Sequence, residues 1–419
     1  MNKIQTLKGF RDFYPEDKAF QNWFYGKIKS VSESFGFEEY EGPIVEPLDL
    51  YAAKSGEELV KKQAFTLEDK SGNALALRPE MTPTLAKMIA QKEGSLVFPV
   101  KWFTYGPRFR YEQPQKGRGR QFNQWDIDIL GVDSYLADAE IIAVAATMFK
   151  ALGLTPDEVK IKINDRQYLQ DEIIALGIGK DKTKDIFKII DKKSKVDGTT
   201  FDAMLKDTGL SNILINKING ILNDKMGYTG STWLSSIFEI IKSFGVSEYI
   251  EFDSSIVRGL DYYTRTVFEG WDTKGNFRAI WGGGRYDNLT QNVGGKQKIS
   301  GVGFAMGDMV MEELLKANNK YPKLTPNQAK VLVTIFSSDL LDSSINLVNK
   351  LRQNNVNSLL YVDSEAKLDK QLKYTDKKGI PYVAIIGPEE KEKDVVTLKN
   401  LQTKEQKTLP LDEVISLLK

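Results

Sequence analysis

The chain has 419 residues, more than one compact core usually holds, so about two to four folded units are expected. Hydrophobic residues make up 41% and charged residues 27%, as in soluble folded proteins, and 58 Lys and Arg against 57 Asp and Glu leave a net charge of +1, so any nucleic-acid contact must come from local patches. With no cysteine and no histidine, disulfides, thiolate or imidazole metal sites and Ser-His-Asp hydrolysis are excluded, and any catalysis rests on Arg, Lys, carboxylates, Tyr and hydroxyls, a set suited to phosphoryl or nucleotidyl transfer.

The N-terminus, MNKIQTLKGFRDFYPED, has no apolar run of a signal peptide, and no stretch approaches the ~18 apolar residues of a membrane span, so a cytoplasmic location is expected. Phe20, Trp23, Phe24, Ile28, Val31 and Phe35 recur at helical spacing up to Gly36, which stops the helix. GFEEYEGPIVEP follows as an extended run, broken by Pro43 and Pro47. QAFTLED and ALALRPE read as a hairpin around Lys70-Ser71-Gly72-Asn73, and Thr82–Lys92 as a helix. Strands and loops alternate over 98–131, and a helix is expected near Leu136–Leu152. Residues 165–250 are lysine-rich and helical in pattern, an inserted unit. Strand-like runs return in SSIVRGLDYYTRTVFEGW and FRAIWGGGRYDNL, and SGVGFAMGD leads into a helix at Met309–Lys316. Past the prolines at 322 and 326, KVLVTIF, SLLYVD and YVAIIG alternate with Leu340–Leu351 and Ala366–Lys378, a β-α-β-α-β order that predicts a small doubly wound unit.

Several segments concentrate chemistry, and each also has a plain structural reading. In RFRYE, strand alternation would put Arg108, Arg110 and Glu112 on one face, where paired guanidinium forks suit phosphate; a solvated edge strand is the alternative. QKGRGR adds Lys116, Arg118 and Arg120 on a backbone loosened by two glycines, suited to closing over phosphates, or simply a basic loop. Gln124, Asp126 and Asp128 share one strand face, costly to bury without a polar ligand, unless the face is wet. Glu80 and Thr82 sit where a strand passes into a helix; Thr82 could line a cleft or cap the helix. Arg258, Tyr262, Tyr263 and Arg265 crowd one short run, with tyrosine hydroxyls able to select a substrate by hydrogen bonding. GGGRYD and GVGFAMG are glycine-rich without being a dinucleotide or P-loop fingerprint; their small residues, Gly303 among them, would let a nucleotide base lie close to the backbone or let strands pack tightly.

In order along the chain, FRYEQPQKGRGRQF resembles motif 2 of class II aminoacyl-tRNA synthetases, RGLDYYTRTVFE a signature specific to histidine, GGGRYDNL a segment typical of histidyl-tRNA synthetases, and the Phe20–Pro47 region motif 1. The resemblance runs over essentially the whole chain. It implies an α+β fold: an antiparallel sheet flanked by helices over residues 1–325, with a helical insertion at about 165–250, and an α/β anticodon-binding domain over 326–419. It further implies ATP-dependent joining of histidine to tRNA(His) through a histidyl-adenylate, a homodimer, and Mg2+ arriving with ATP. By resemblance, Arg110 would hold the α-phosphate and Arg258 neutralise charge developing there. Glu80, Thr82 and Gln124 would hold the substrate amino group; Asp128, Tyr262, Tyr263 and Tyr286 would face the imidazole; Glu112, Arg118 and Gly303 would meet ATP. One position departs: Val310 stands where motif 3 usually places an ATP-gripping arginine.

Two other functions compete. A non-catalytic paralogue regulating ATP phosphoribosyltransferase would lack the C-terminal domain and lose catalytic signatures, yet residues 328–419, Arg110, Arg258 and Tyr263 are all present. A module sensing uncharged tRNA without catalysis is favoured only by Val310.

Overall fold

The computed structural model describes residues 3–52, 63–258, 263–277, 279–288 and 290–419. Contacts divide the chain into two units, Met1–Asp12 with Asn22–Pro322, and Phe13–Gln21 with Lys323–Lys419.

The first unit is built on an eight-stranded sheet. Its strands are β1 (Glu38–Glu39), β5 (Val100–Phe109), β6 (Gln121–Leu130), β7 (Val159–Asp165), β8 (Ile250–Phe252), β9 (Thr266–Asp272), β10 (Trp281–Tyr286) and β11 (Gly301–Gly307), in the order β1-β5-β6-β11-β10-β9-β7-β8. All pairings are antiparallel except β1 with β5 and β7 with β8, at the two edges. A separate three-stranded sheet joins β2 (Val45–Pro47) to the expected hairpin of β3 (Phe65–Glu68) and β4 (Ala74–Leu77).

One face of the large sheet is covered by the helix Tyr135–Ala151. Its sequence is apolar nearly all round, which suits burial on every side. Ser134 caps it by accepting from the Leu136 N–H at 3.1 Å. Phe149 is fully buried, its ring 5.9 Å from Trp281 and 6.4 Å from Tyr249. The first helix, Pro15–Ser34, ends as expected at Gly36, whose φ of 76° lets the Gly36 and Phe37 N–H groups turn back to the carbonyls of Glu33 and Ser32.

Between β7 and β8 lie five helices, Arg166–Ala175, Lys180–Ile190, Gly198–Asp207, Asn212–Asn223 and Thr232–Ser243. Asp165, Asp197, Ser211 and Ser231 cap four of them through side-chain oxygens. The first four share their own apolar core, including Ile173, Ile186, Phe201, Leu205 and Ile218. The fifth packs instead on Tyr135–Ala151.

The sequence expectation fails at SSIVRGLDYYTRTVFEGW, where the strand begins only at Thr266. Asp253 folds the start of this run into a turn, accepting from the Ser255 N–H at 3.0 Å through its side chain and from the Ile256 N–H through its carbonyl. Arg258 lies in the left-handed region at φ 55°, and Tyr262 lies outside the described residues.

In the second unit β12 (Val331–Val333), β13 (Ser358–Leu360) and β14 (Tyr382–Ile385) are parallel and alternate with the helices Leu341–Gln353 and Leu368–Lys377, the β-α-β-α-β order read from the sequence. Two antiparallel strands, β15 (Val396–Asn400) and β16 (Gln406–Leu409), and a last helix, Leu411–Leu418, extend it beyond that reading. Val331, Val333, Leu347, Leu351, Val414 and Leu418 are among the residues of its core. No described helix in either unit is long and apolar enough to cross a membrane.

Because Phe149 sits between helix and sheet with no exposed surface, Phe149→Ala should cost ~3–5 kcal/mol. Calorimetry should show the first unit melting earlier, with the transition of the second unit unmoved.

Candidate active site

Strand β6 runs through the sheet with Trp125 and Ile127 fully buried on one side and Gln124, Asp126 and Asp128 on the other. The strand register sets what stands beside them. Asp128 is opposite Gly303 on β11, and Gly303 is opposite Gly284 on β10; Asp126 is opposite Ala305, and Ala305 is opposite Gly282. Two rows of polar residue, small residue, glycine therefore cross the sheet and leave a hollow. The glycines are required by close approach: a Cβ on Gly303 would run into the Asp128 carboxylate, and one on Gly282 into the Arg258 guanidinium.

The hollow is the floor of a cavity of about 380 Å³. Glu80, Thr82, Arg110, Glu112, Arg118, Gln124, Asp128, Arg258, Tyr263, Tyr286 and Gly303 all line it. Every described residue given a substrate role by the resemblance is thus brought to one place, from five separate stretches of chain.

The electrostatics are polarised. Asp126, Asp128 and Glu80 are buried at the floor and side, while Arg110, Arg118 and Arg258 stand in the walls. Arg258 reaches its position from a left-handed backbone, a conformation that costs on the order of 1 kcal/mol and tends to collect at functional sites. Its guanidinium is held by Glu269 at 2.7 Å, and lies 6.0 Å from the Tyr263 ring. Arg110 donates from Nε to the Pro79 carbonyl at 2.9 Å and lies 5.3 Å above the Phe122 ring. Arg118 is 3.7 Å from Glu112, at the end of a tight turn closed by paired backbone bonds between Gln115 and Arg118, with Gly117 at φ 73°.

The Asp128 carboxyl is strongly perturbed. Burial raises its carboxyl from 3.8 to about 8; the Tyr286 hydroxyl, which donates to it, works against that rise, and neighbouring Asp126 adds to it. Asp126 is also pushed upward by burial, against the pull of Arg108 at 2.8 Å. At neutral pH Asp128 therefore carries a proton and can donate as well as accept. Gln124 Oε1 is buried without a protein partner among the described residues, an acceptor ready for a ligand's ammonium.

One expectation changes in part. Arg108 shares the cavity face, opposite Phe122, but is buried against Asp126 and does not line the cavity; β5 ends at Phe109, so Arg110 and Glu112 follow in a turn in which the Glu112 N–H reaches back to the Arg110 carbonyl at 2.7 Å. Of the two readings of Thr82 the structure favours the cleft: Thr82 lines the cavity, and Met81 holds the cap position with no side-chain bond. Gly303 lines the cavity and also makes room for Asp128. Sequence reasoning missed Phe122, Trp281 and Phe304 as apolar walls and Glu269 as the partner of Arg258. Phe122 was detectable two positions before Gln124 on the same face; nothing local marked Glu269. Val310, on the helix Asp308–Ala317, lies in the cavity wall against Gly117, and one turn further on Glu313 is 3.6 Å from Lys116, so the basic loop rests on this helix.

A large antiparallel sheet with helices around it, a polar cavity on its open face and a separate α/β unit after it is the architecture of class II aminoacyl-tRNA synthetases. A structure of histidyl-tRNA synthetase from Nostoc sp. PCC 7120 superposes with a TM-score of 0.87 over 100% of both chains, at 28% identity. The profile of the histidyl-tRNA synthetase family matches residues 9–309, and that of the anticodon-binding domain matches residues 330–419. Curated histidine--tRNA ligases of Picrophilus torridus and Leptospira biflexa are 37% and 36% identical, over 99% of this chain and 99% and 97% of their own lengths. The chain belongs to the histidyl-tRNA synthetase family.

The raised Asp128 carboxyl has a consequence for stability. It keeps its proton in the folded protein up to about 8, whereas the unfolded chain loses it near 3.8, so its contribution is fully present below 3.8 and is lost as pH rises toward 8. Asp128→Asn should therefore raise the melting temperature at pH 8.5 and change it little at pH 4, measured by scanning calorimetry. An equal shift at both values would show that Asp128 titrates normally.

Proposed function

We infer that the protein activates histidine with ATP and transfers the histidyl group to tRNA(His), as a homodimeric enzyme of the cytoplasm. The observation that carries this reading is the pairing of a proton-bearing acidic floor with an arginine wall in one cavity, in a chain related end to end to histidine--tRNA ligases. A ligand with an amine and a ring at one end and an acyl phosphate at the other fits that polarity.

In the first step the histidine carboxylate attacks the α-phosphorus of ATP, forming the histidyl-adenylate and releasing pyrophosphate. The nucleophile is already ionised at neutral pH, so no protein base is needed. What the reaction needs is neutralisation of charge growing on the α-phosphoryl oxygens, the work assigned to Arg110 and Arg258. The Glu269 contact at 2.7 Å supports this by holding Arg258 in place before substrate arrives. Glu80, Thr82 and the unpaired Gln124 acceptor take the substrate ammonium. Asp128, Tyr263 and Tyr286 face the imidazole, with Tyr262 grouped among them by resemblance. Glu112 and Arg118 meet ATP, and Gly303 serves the ring floor by admitting Asp128. Glu112 would offer a hard oxygen donor to magnesium carried by ATP, whose charge would help neutralise the phosphates. In the second step a terminal hydroxyl of the tRNA attacks the acyl carbon and AMP leaves.

In this reading the catalytic region spans residues 1–325, with its insertion near 165–250, and the anticodon reader spans 326–419. The non-catalytic paralogue is less supported, because relatives named as ligases align over nearly the full length.

Exchange of labelled pyrophosphate into ATP should depend on histidine alone among the amino acids, and Arg258→Ala should lower it by ~10²–10³-fold. Folded protein that shows no exchange with or without tRNA would shift the case to the paralogue. The histidine KM should be lowest between the imidazole value of about 6.5 and the Asp128 value of about 8, where ring and acid together hold one proton. It should rise roughly tenfold per pH unit outside that window.

A further inference from the structure

Neighbouring residues of a strand face opposite sides of a sheet, so while Tyr286 faces the cavity, Arg285 faces the helix Tyr135–Ala151 behind it. There it meets Asp138, a carboxylate with no exposed surface. Asp138 accepts from Arg285 Nε at 2.9 Å and Nη2 at 2.6 Å, and from the Thr266 hydroxyl on β9. A fourth donor comes from the last helix of the insertion: the Trp233 indole N–H lies 3.1 Å from Asp138 and 2.9 Å from Thr266 Oγ1. The indole is gripped in turn by the Arg265 guanidinium, 3.9 Å from its ring.

This cluster adjoins the cavity in sequence at two points. Arg285 precedes Tyr286, which donates to Asp128. The Arg285 carbonyl accepts from the Thr264 N–H at 2.9 Å, and Thr264 Oγ1 bonds Asp287 at 2.6 Å, fixing the residue that follows Tyr263. Tyr286 is therefore one residue from Arg285, which Asp138 holds directly, and Tyr263 is one residue from Thr264, which reaches Asp138 only through the Arg285 backbone. No such network is needed for packing alone, since apolar residues would fill the space behind the sheet without a buried charge to satisfy.

We propose that Trp233 is a positioning residue for the histidine pocket: through Asp138 and Arg285 it sets where Tyr286 and Tyr263 stand, so that the inserted helices and histidine affinity are coupled. The proposal rests on the histidine-binding reading of the cavity. Trp233 touches no substrate and its loss acts on histidine, not on ATP, because the arginine wall is anchored elsewhere, by Glu269 and Pro79.

Calorimetric titration of histidine, and separately of ATP, tests this without requiring turnover. Trp233→Phe keeps a ring for Arg265 and removes one N–H. It should weaken histidine about five- to tenfold, the net worth of one ordinary hydrogen bond transmitted to the pocket, with ATP affinity changed less than twofold. Thr266→Val, which removes the shared hydroxyl, should do the same, and Thr266→Ser should restore wild-type affinity. If Trp233→Phe fails to fold, the Thr266 pair decides alone. A lower melting temperature with histidine affinity unchanged, or an equal loss for both ligands, would overturn the proposal. Wild-type protein that binds histidine but performs no exchange would refute the synthetase reading and leave the variant comparison decisive; wild-type protein that binds no histidine would overturn both.

Discussion

The constraint on which the rest of the site depends is a pair of carboxylates, Asp126 and Asp128, buried on the open face of strand β6. Neither could remain there unaided, because removing a carboxylate from water is far more costly than burying the residues around it. Each is accommodated differently. Asp126 keeps an ion pair with Arg108, itself withdrawn completely from solvent. Among the described residues Asp128 has no cation partner; it takes up a proton and a hydrogen bond from Tyr286. The neighbouring strands must then be narrow, and the glycines of β10 and β11 supply that narrowness.

This arrangement separates two jobs. The floor is acidic, proton-bearing and rigid, set on paired strands. The arginine wall is borne by a turn, a loop and a residue in a left-handed conformation, outside the paired strands. In the proposed reaction the chemistry asks for little else. The chain contains no histidine, and none is required, because the attacking group is the substrate's own carboxylate. Val310 leaves the far wall apolar, and the nearby positive charge is on the basic loop, with Lys116 tied to Glu313 and Arg118 to Glu112.

Much of this was legible in the sequence where pattern and structure share a period. The alternation of Gln124, Asp126 and Asp128 announced a polar strand face, the helix Thr82–Lys92 was read to its ends, and the β-α-β-α-β order identified the second unit. Reading failed where the backbone departs from regularity. Arg258 looked like part of a strand because its neighbours are β-prone, but the Asp253 turn and a positive φ are decided by tertiary contacts. Arg108 and Arg110 looked equivalent, and only the turn at Glu112 separates a structural arginine from one in the cavity wall. Glu269 and Asp138 were invisible for the same reason: a carboxylate's importance lies in which distant arginine it meets, eleven positions away for Glu269 and 147 for Asp138.

The central claim, that Asp128 meets the substrate ring while sharing a proton with it, is tested most directly by nuclear magnetic resonance of histidine labelled with 15N in the imidazole. Bound to wild-type protein at pH 7, the ring nitrogens should shift away from their free values, and that shift should vanish or reverse in Asp128→Asn. Ring resonances that match free histidine in the wild type, or that are identical in the two proteins, would contradict the account.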